Sequence, residues 1–226
     1  MDAMLASLRI LITEADRFMG PALSRHLAAA GAEVIADTRD LSVPAAAGEA
    51  VAAAGRIDVL IVNLAVPAPG TPVGEVDEAE WRDVFAALVD PLPRLVQAVL
   101  PQMRERGRGR IVVMGSASAL RGMRRASSYS AARGAQLAYV QAAGVELAPL
   151  GIRLNAVAQN FVDNPTYFPA ALQADPRFQA RLQREVPLGR LVSAEEDAAF
   201  VAYLCSEAAD CFVGQCFPLC GGWVTR

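Results

Sequence analysis

Histidine is nearly absent from this 226-residue chain, His26 being the only one. It stands in a helical pattern beside Leu23, Leu27 and Ala30 with no second histidine to share a metal, so it reads as an incidental helix residue. Cysteine is almost as scarce. The four, Cys205, Cys211, Cys216 and Cys220, lie near the C-terminus with five, four and three residues between them, a spacing that matches neither a zinc ribbon nor Cys-x-x-Cys. Cys216 and Cys220 share one face of an expected last strand, where cysteine behaves as a small apolar residue; no metal site is expected. Long apolar runs are missing too, since Val59 to Val66 is interrupted by Asn63, ended by Pro67 and too short to cross a bilayer. A formal charge of −3 and a pI near 5.3 give no reason to propose nucleic acid or an anionic membrane as partner. Met1 to Ser7 offers no basic stretch followed by an apolar one, and a cytoplasmic protein is expected.

What is present is apolar and periodic. With 54% hydrophobic residues the chain can bury one full core, so a single domain over 1–226 is expected. Strand-like runs at Leu8–Thr13, Glu33–Asp37, Ile57–Asn63, Arg110–Met114, Arg153–Ala158 and Gln215–Leu219 alternate with helical segments. The helical segments are Met19–Ala30, Glu80–Arg106 with a break near Pro91 and Pro93, Tyr129–Ala148, and Ala194–Ser206. The alanine-rich Val43–Gly55 reads as an exposed helix. Such alternation implies an α/β fold, a Rossmann-like doubly wound parallel sheet with helices on both faces. Ligands of such sheets bind beyond the carboxyl ends of the strands; Thr13, Asn63, Ser116 and Ala158 stand there.

Ser116 and Tyr129 are separated by twelve residues, and Arg133 follows Tyr129 by one helical turn. Residues four apart on a helix are neighbours, so Arg133 is expected to hold its cation against the Tyr129 oxygen and favour the phenolate. A hydroxyl donor, a phenol base and a guanidinium in this frame resemble the short-chain dehydrogenase/reductase superfamily, in which the third residue is Lys. Arginine is not an equivalent substitute: lysine is a compact ammonium able to reach a nicotinamide ribose, whereas arginine is a planar, permanently charged fork. The Ser/Tyr/Arg set resembles the halohydrin dehalogenases, a cofactor-free offshoot of that superfamily. The segment from Thr13 to Gly20 carries the same resemblance. A dinucleotide-binding relative would read Thr-Gly-x-x-x-Gly-x-Gly, with glycines that let backbone approach the pyrophosphate. Here Glu14 and Phe18 replace two of the three glycines, giving Thr13-x4-Phe18-x-Gly20, the dehalogenase pattern.

That resemblance implies no cofactor and a site that closes vicinal haloalcohols to epoxides, releasing halide and a proton. In reverse it implies opening of epoxides by halide, azide, cyanide or nitrite. Tyr129 would be the base, Ser116 would hold the substrate oxygen, and Arg133 would favour the phenolate. The halide would lie against the backbone N–H groups of Phe161 and Val162, with Asn160, Phe18 and Phe168 lining the pocket. Gln159-Asn160 stands where the reductases carry Pro-Gly, and Asp90 where they carry the asparagine of a proton relay. Leu64–Glu75 and Ser118–Ser127, the latter with Arg121, Arg124 and Arg125, should rim the mouth, and Tyr167 and Phe168 form a lid-like stretch. Alanines at 131, 132, 135, 138, 142 and 143 leave a small-residue surface on the catalytic helix; in the superfamily such helices pair across subunits, so a homotetramer is expected, though helix propensity alone accounts for alanine. Two alternatives stay open: an NAD(P)-dependent reductase, in which Asp37 would bind the adenosine ribose, and a ligand-sensing protein without catalysis.

Overall fold

The computed structural model describes residues 5–225. Six strands form one parallel sheet: β1 (Arg9–Ile12), β2 (Glu33–Ala36), β3 (Val59–Val62), β4 (Gly109–Ser116), β5 (Ile152–Gln159) and β6 (Cys216–Leu219), in the order β2-β1-β3-β4-β5-β6. The strands are short apolar runs with β3 and β4 buried at every residue, as a sheet covered on both faces requires. Around it lie α1 (Gly20–Ala29), α2 (Ala46–Ala54), α3 (Glu78–Leu88), α4 (Pro91–Arg106), α5 (Ser127–Leu147), α6 (Ala170–Gln173), α7 (Pro176–Glu185) and α8 (Ala194–Cys205). One core cluster joins α2, α3, α4 and α5 to one face of the sheet, and a second joins α1 and α8 to the other. This is the Rossmann-like architecture expected from the alternation of elements.

Pro91 falls at the first position of α4, where its missing N–H is no loss, which is why the long apolar segment breaks there. Together α3 and α4 are long and apolar enough to span a bilayer by length and composition. Their Val84, Leu88, Leu92, Leu95, Val96, Val99 and Met103 nevertheless sit in the protein core. The expectation of an exposed alanine-rich helix is corrected: α2 buries Ala46, Ala47, Ala50, Val51 and Ala54, because a helix whose only branched residue is Val51 still covers a sheet face with its methyl groups. Helix α7 was not foreseen. Its Asp175 accepts from the Arg177 N–H and Pro176 opens the first turn, while Phe178 and Leu182, four apart, bury one face.

The register sets the site. Ser116, the last residue of β4, pairs with Gln159, the last of β5, and Gln159 pairs with Leu219 of β6. The cysteines are free: Cys205 and Cys220 are buried, Cys216 is half-buried on β6 and Cys211 is exposed. Burial pushes the Cys205 thiol up to about 12, which leaves it an inert apolar filler. Among the described residues no cluster of metal-ligating side chains occurs.

Candidate active site

A cavity of about 220 Å³ opens beyond the carboxyl ends of β4 and β5. Ser116, Tyr129, Phe18, Asn160, Phe161, Val162 and Phe168 all line it, so the structure brings these sequence-identified residues together at one place. Arg133 lies behind them, fully buried. Gln159, Asn164, Tyr167, Met123 and, from α7, Phe178 and Arg181 complete the wall. The lining is mostly apolar, which strengthens any charge interaction made inside it.

The Ser116 hydroxyl lies 2.9 Å from the Ser118 hydroxyl and accepts the Ser118 N–H at 3.2 Å, an arrangement that fixes its oxygen at the strand end. Tyr129 enters from the first turn of α5 and is 5% exposed. The Arg133 cation acts on the Tyr129 oxygen as expected, although its short hydrogen bonds are made to other groups. Its guanidinium lies beside the Tyr129 ring, 5.2 Å from the centroid. Its directed hydrogen bonds go elsewhere: to Met114 O and Gln136 Oε1, both at 3.0 Å, to Leu64 O at 3.0 Å and to the Tyr167 hydroxyl at 3.2 Å. The reason is reach, because a side chain buried between the ends of β3 and β4 meets strand-end carbonyls first. Burial opposes the Arg133 charge, yet the two phenolic oxygens outweigh it and hold the guanidinium above its ordinary range. All four partners are neutral, and Nε has none among the described residues.

Tyr167 was expected as part of a lid-like stretch, and the structure gives its hydroxyl a place at the centre of the site. The hydroxyl accepts from Arg133, donates to Val66 O at 2.9 Å and lies 3.3 Å from the Tyr129 hydroxyl. Burial and the neighbouring Tyr129 push it far above the usual phenol range, with Arg133 offsetting part of the effect. No periodicity in the sequence could have located it, since the contact joins a loop to a helix more than thirty residues away.

The turn after β5 is strained. Phe161 is 1% exposed with φ of 52°, a left-handed conformation costly for a bulky residue. Its N–H is taken by the Asn160 Oδ1 at 2.9 Å. Val162 forms a parallel bridge with Val192 through the flanking Phe161 O and Asp163 N, which turns the N–H of Val162 itself the other way. No bond to that N–H occurs among the described residues. Behind the turn, Gln159 donates to Asp197 Oδ1 at 2.5 Å. Asp197 is fully buried on α8, and burial pushes its carboxyl up to about 7, the Gln159 bond offsetting a part.

The turn after β1 answers whether a dinucleotide fits. Glu14 and Phe18 stand where glycines would, and both keep the glycine-like backbone, with φ of 45° and 53°. Glu14 Oε2 accepts the Ala65 N–H at 3.2 Å, and Asn63 Nδ2 donates to Glu14 O at 3.0 Å and to Arg17 O at 3.2 Å. The Phe18 ring is 4% exposed and meets Tyr167 edge-on at 5.2 Å. A pyrophosphate needs bare backbone N–H groups and no anion beside them; this turn offers a carboxylate and a ring. Asp37 does not offer its carboxylate to a ribose either, being paired with Arg39. The residues present do not fit a nicotinamide dinucleotide.

The outlying expectations divide. Asp90 is exposed and pairs with Arg94 at 3.6 Å, outside the cavity. Arg121 is not a free mouth cation: it donates to Trp223 O at 2.6 Å and lies over the Trp223 ring at 4.7 Å. Arg125 donates to Gly70 O at 2.7 Å, tying the two expected rim loops together, and Arg124 is exposed.

A strand-end serine and a buried tyrosine on the following helix, set over a sheet of this order, define an α/β enzyme of a known superfamily. A family model described as enoyl-(acyl carrier protein) reductase matches residues 22–224, and the chain belongs to the short-chain dehydrogenase/reductase family. The chain contains no lysine at all, so arginine at 133 by itself distinguishes little within that family; the turn at Glu14 and Phe18 distinguishes more. A monensin polyketide synthase putative ketoacyl reductase of Streptomyces virginiae is 34% identical over 198 residues, 83% of this chain and 76% of that protein. A cis-4-hydroxycyclohexanecarboxylate dehydrogenase of Sinomonas cyclohexanicum is 36% identical over 186 residues, 82% of this chain and 73% of that one. Among solved structures, a dehalogenation enzyme superposes with a TM-score of 0.92 at 35% identity, covering 98% of this chain and all of the other. A halohydrin dehalogenase bound to ethyl (2S)-oxiran-2-ylacetate gives a TM-score of 0.88 at 27% identity, covering 96% of this chain and 98% of that one.

Proposed function

We propose that this chain is a halohydrin dehalogenase that works without a nicotinamide cofactor. The observation that carries the reading is the pair Glu14 and Phe18, which keep the backbone of a dinucleotide turn while filling it with a carboxylate and a ring. The likeness to the two dehalogenase structures supports it.

Ser116 donates to the hydroxyl oxygen of a small vicinal haloalcohol, and Tyr129, as phenolate, takes its proton. The oxygen then displaces the halide from the adjacent carbon, forming the second C–O bond of the epoxide as the carbon–halogen bond breaks. Nucleophile and leaving group belong to one molecule, so the site need only hold them antiperiplanar. The departing halide gathers negative charge against preorganised donors in an apolar wall. Val162 N–H is the donor without another partner, and Phe161 N–H joins it when the Asn160 side chain lets go. Run backwards, the same pocket seats a small anion that opens an epoxide. The small-residue surface of α5, where Ala138 and Ala142 are exposed, is the proposed contact in a homotetramer, and a cytoplasmic location remains part of the proposal.

Halide release from 1,3-dichloro-2-propanol with no nicotinamide present tests the reading. Turnover that begins only when NAD(P) is added would assign the chain to the redox chemistry of its sequence relatives, and a bound ligand with no turnover in either assay would leave a sensing protein.

A further inference from the structure

Arg133 is a fully buried cation whose four hydrogen-bond partners are all neutral. A buried charge without a counter-charge is costly, and an anion forming nearby relieves that cost. Two phenols stand within reach. Tyr167 receives a guanidinium hydrogen bond at 3.2 Å, while the Tyr129 hydroxyl, which shares the cavity with Ser116, feels the same charge and lies 3.3 Å from the Tyr167 hydroxyl. Tyr167 also has an alternative acceptor for its single proton, Val66 O at 2.9 Å.

We propose that Tyr167 is a positioning residue that couples Arg133 to the base: its proton points to Val66 O while Tyr129 is neutral and swings to the Tyr129 oxygen when Tyr129 is ionised. Arg133, donating to the Tyr167 oxygen, polarises that O–H and makes it a stronger donor. No proton leaves Tyr167 in the cycle. The phenolate takes one proton from the substrate hydroxyl, Tyr167 turns back to Val66 O, and Tyr129 later returns its proton to solvent. Burial keeps Tyr167 in its phenol form throughout, as a donor must be. The Phe18 ring, edge-on to Tyr167 at 5.2 Å, fixes the ring so that only the hydroxyl proton moves. Few other ionisable groups face the pair. Arg181 of α7, which lines the cavity, is engaged with Glu185 at 3.0 Å, and Glu80 of α3, outside the lining, accepts the Ser128 hydroxyl at 2.5 Å. Gln136, on the Arg133 side, is neutral.

The inference rests on the reading of Tyr129 as the base, and its test separates the two. Tyrosinate absorbance is titrated against pH, without substrate, in the parent, Tyr167→Phe, Tyr129→Phe, Arg133→Gln and the double variant Tyr167→Phe/Arg133→Gln. One of the four tyrosines should ionise ahead of the rest in the parent. That early step should vanish in Tyr129→Phe, move to higher pH in Tyr167→Phe, and move little further when Arg133→Gln is added to Tyr167→Phe. In dehalogenation, Tyr167→Phe should lower kcat about tenfold or more, the scale of a lost hydrogen bond to a charged group, with KM little changed and part of the rate regained in base. An early step that survives Tyr129→Phe, or one unmoved in Tyr167→Phe, overturns the coupling. So does a parent with no early step, a result that needs no variant to fold. If the titrations behave as expected and no haloalcohol turns over, the coupling stands and the dehalogenase reading fails.

Discussion

The backbone N–H of Phe18 donates to the Thr166 hydroxyl at 2.9 Å, so the turn after β1 is fastened to the loop after β5. With the Phe18 ring against Tyr167, that clasp closes the space between the two strand ends where a dinucleotide would lie. Neither NADH nor NADPH should give a saturable fluorescence change on titration. Phe18→Ala should open the pocket without restoring binding, because Glu14 remains beside the phosphate position. Saturable binding to the parent at micromolar concentration would sink the cofactor-free reading.

Tyr129→Phe keeps the ring that packs beside Arg133 and removes the oxygen. Dehalogenation should fall by at least ~10²-fold, the usual scale for a positioned base. Halide binding should persist, since the Phe161 and Val162 backbone is untouched. A rate near the parent's, measured by halide release, would move the base to another residue.

How much of this was legible in the sequence depends on range. The strands were readable because a sheet covered on both faces demands short apolar runs, and the Ser116–Tyr129 pair because strand end and helix start are fixed by local spacing. Glu14 and Phe18 were readable as obstructions from the glycines they replace, although their retained left-handed backbone was not. Three of the four partners of Arg133 were beyond reach: they come from Leu64, Met114 and Tyr167, which only the tertiary fold brings together. Helix α7 carried a signal, the Asp175-Pro176 start and the Phe178/Leu182 pair, but two apolar residues make a faint period. Its Phe178 and Arg181 therefore entered the cavity wall unannounced.

Arg133→Lys tests how far the buried fork is structural. One ammonium cannot reach Met114 O, Leu64 O, Gln136 Oε1 and the Tyr167 hydroxyl together, and each buried acceptor left without a donor costs about 1–3 kcal/mol. The variant should lose at least about 2 kcal/mol of stability on that scale and retain reduced activity, because a charge remains near the phenols. It should gain no nicotinamide binding. Urea unfolding alongside halide release decides the matter: unchanged stability would mean that the hydrogen bonds of the fork are replaced by water.

Asp197 gives the wall behind the turn after β5 a pH dependence. Its carboxyl is pushed up to about 7 by burial, from an ordinary value of 3.8, so the folded protein holds this proton more tightly than the unfolded chain. Such a group contributes its stability fully below the unfolded value and loses it as pH rises toward the folded one. Between about pH 4 and pH 7 the parent should therefore lose up to a few kcal/mol from this residue, at about 1.4 kcal/mol for each unit of displacement. Asp197→Asn cannot titrate and should be flat across that window. Its amide oxygen still accepts from Gln159 Nε2, and its NH₂ supplies a donor beside Gln159 Oε1, which lacks a partner. The variant should thus be the more stable protein at pH 8 and have no such advantage at pH 4. Urea unfolding of both proteins at the two pH values checks this; parallel curves, with the same difference at both, would show that Asp197 does not change its charge on folding.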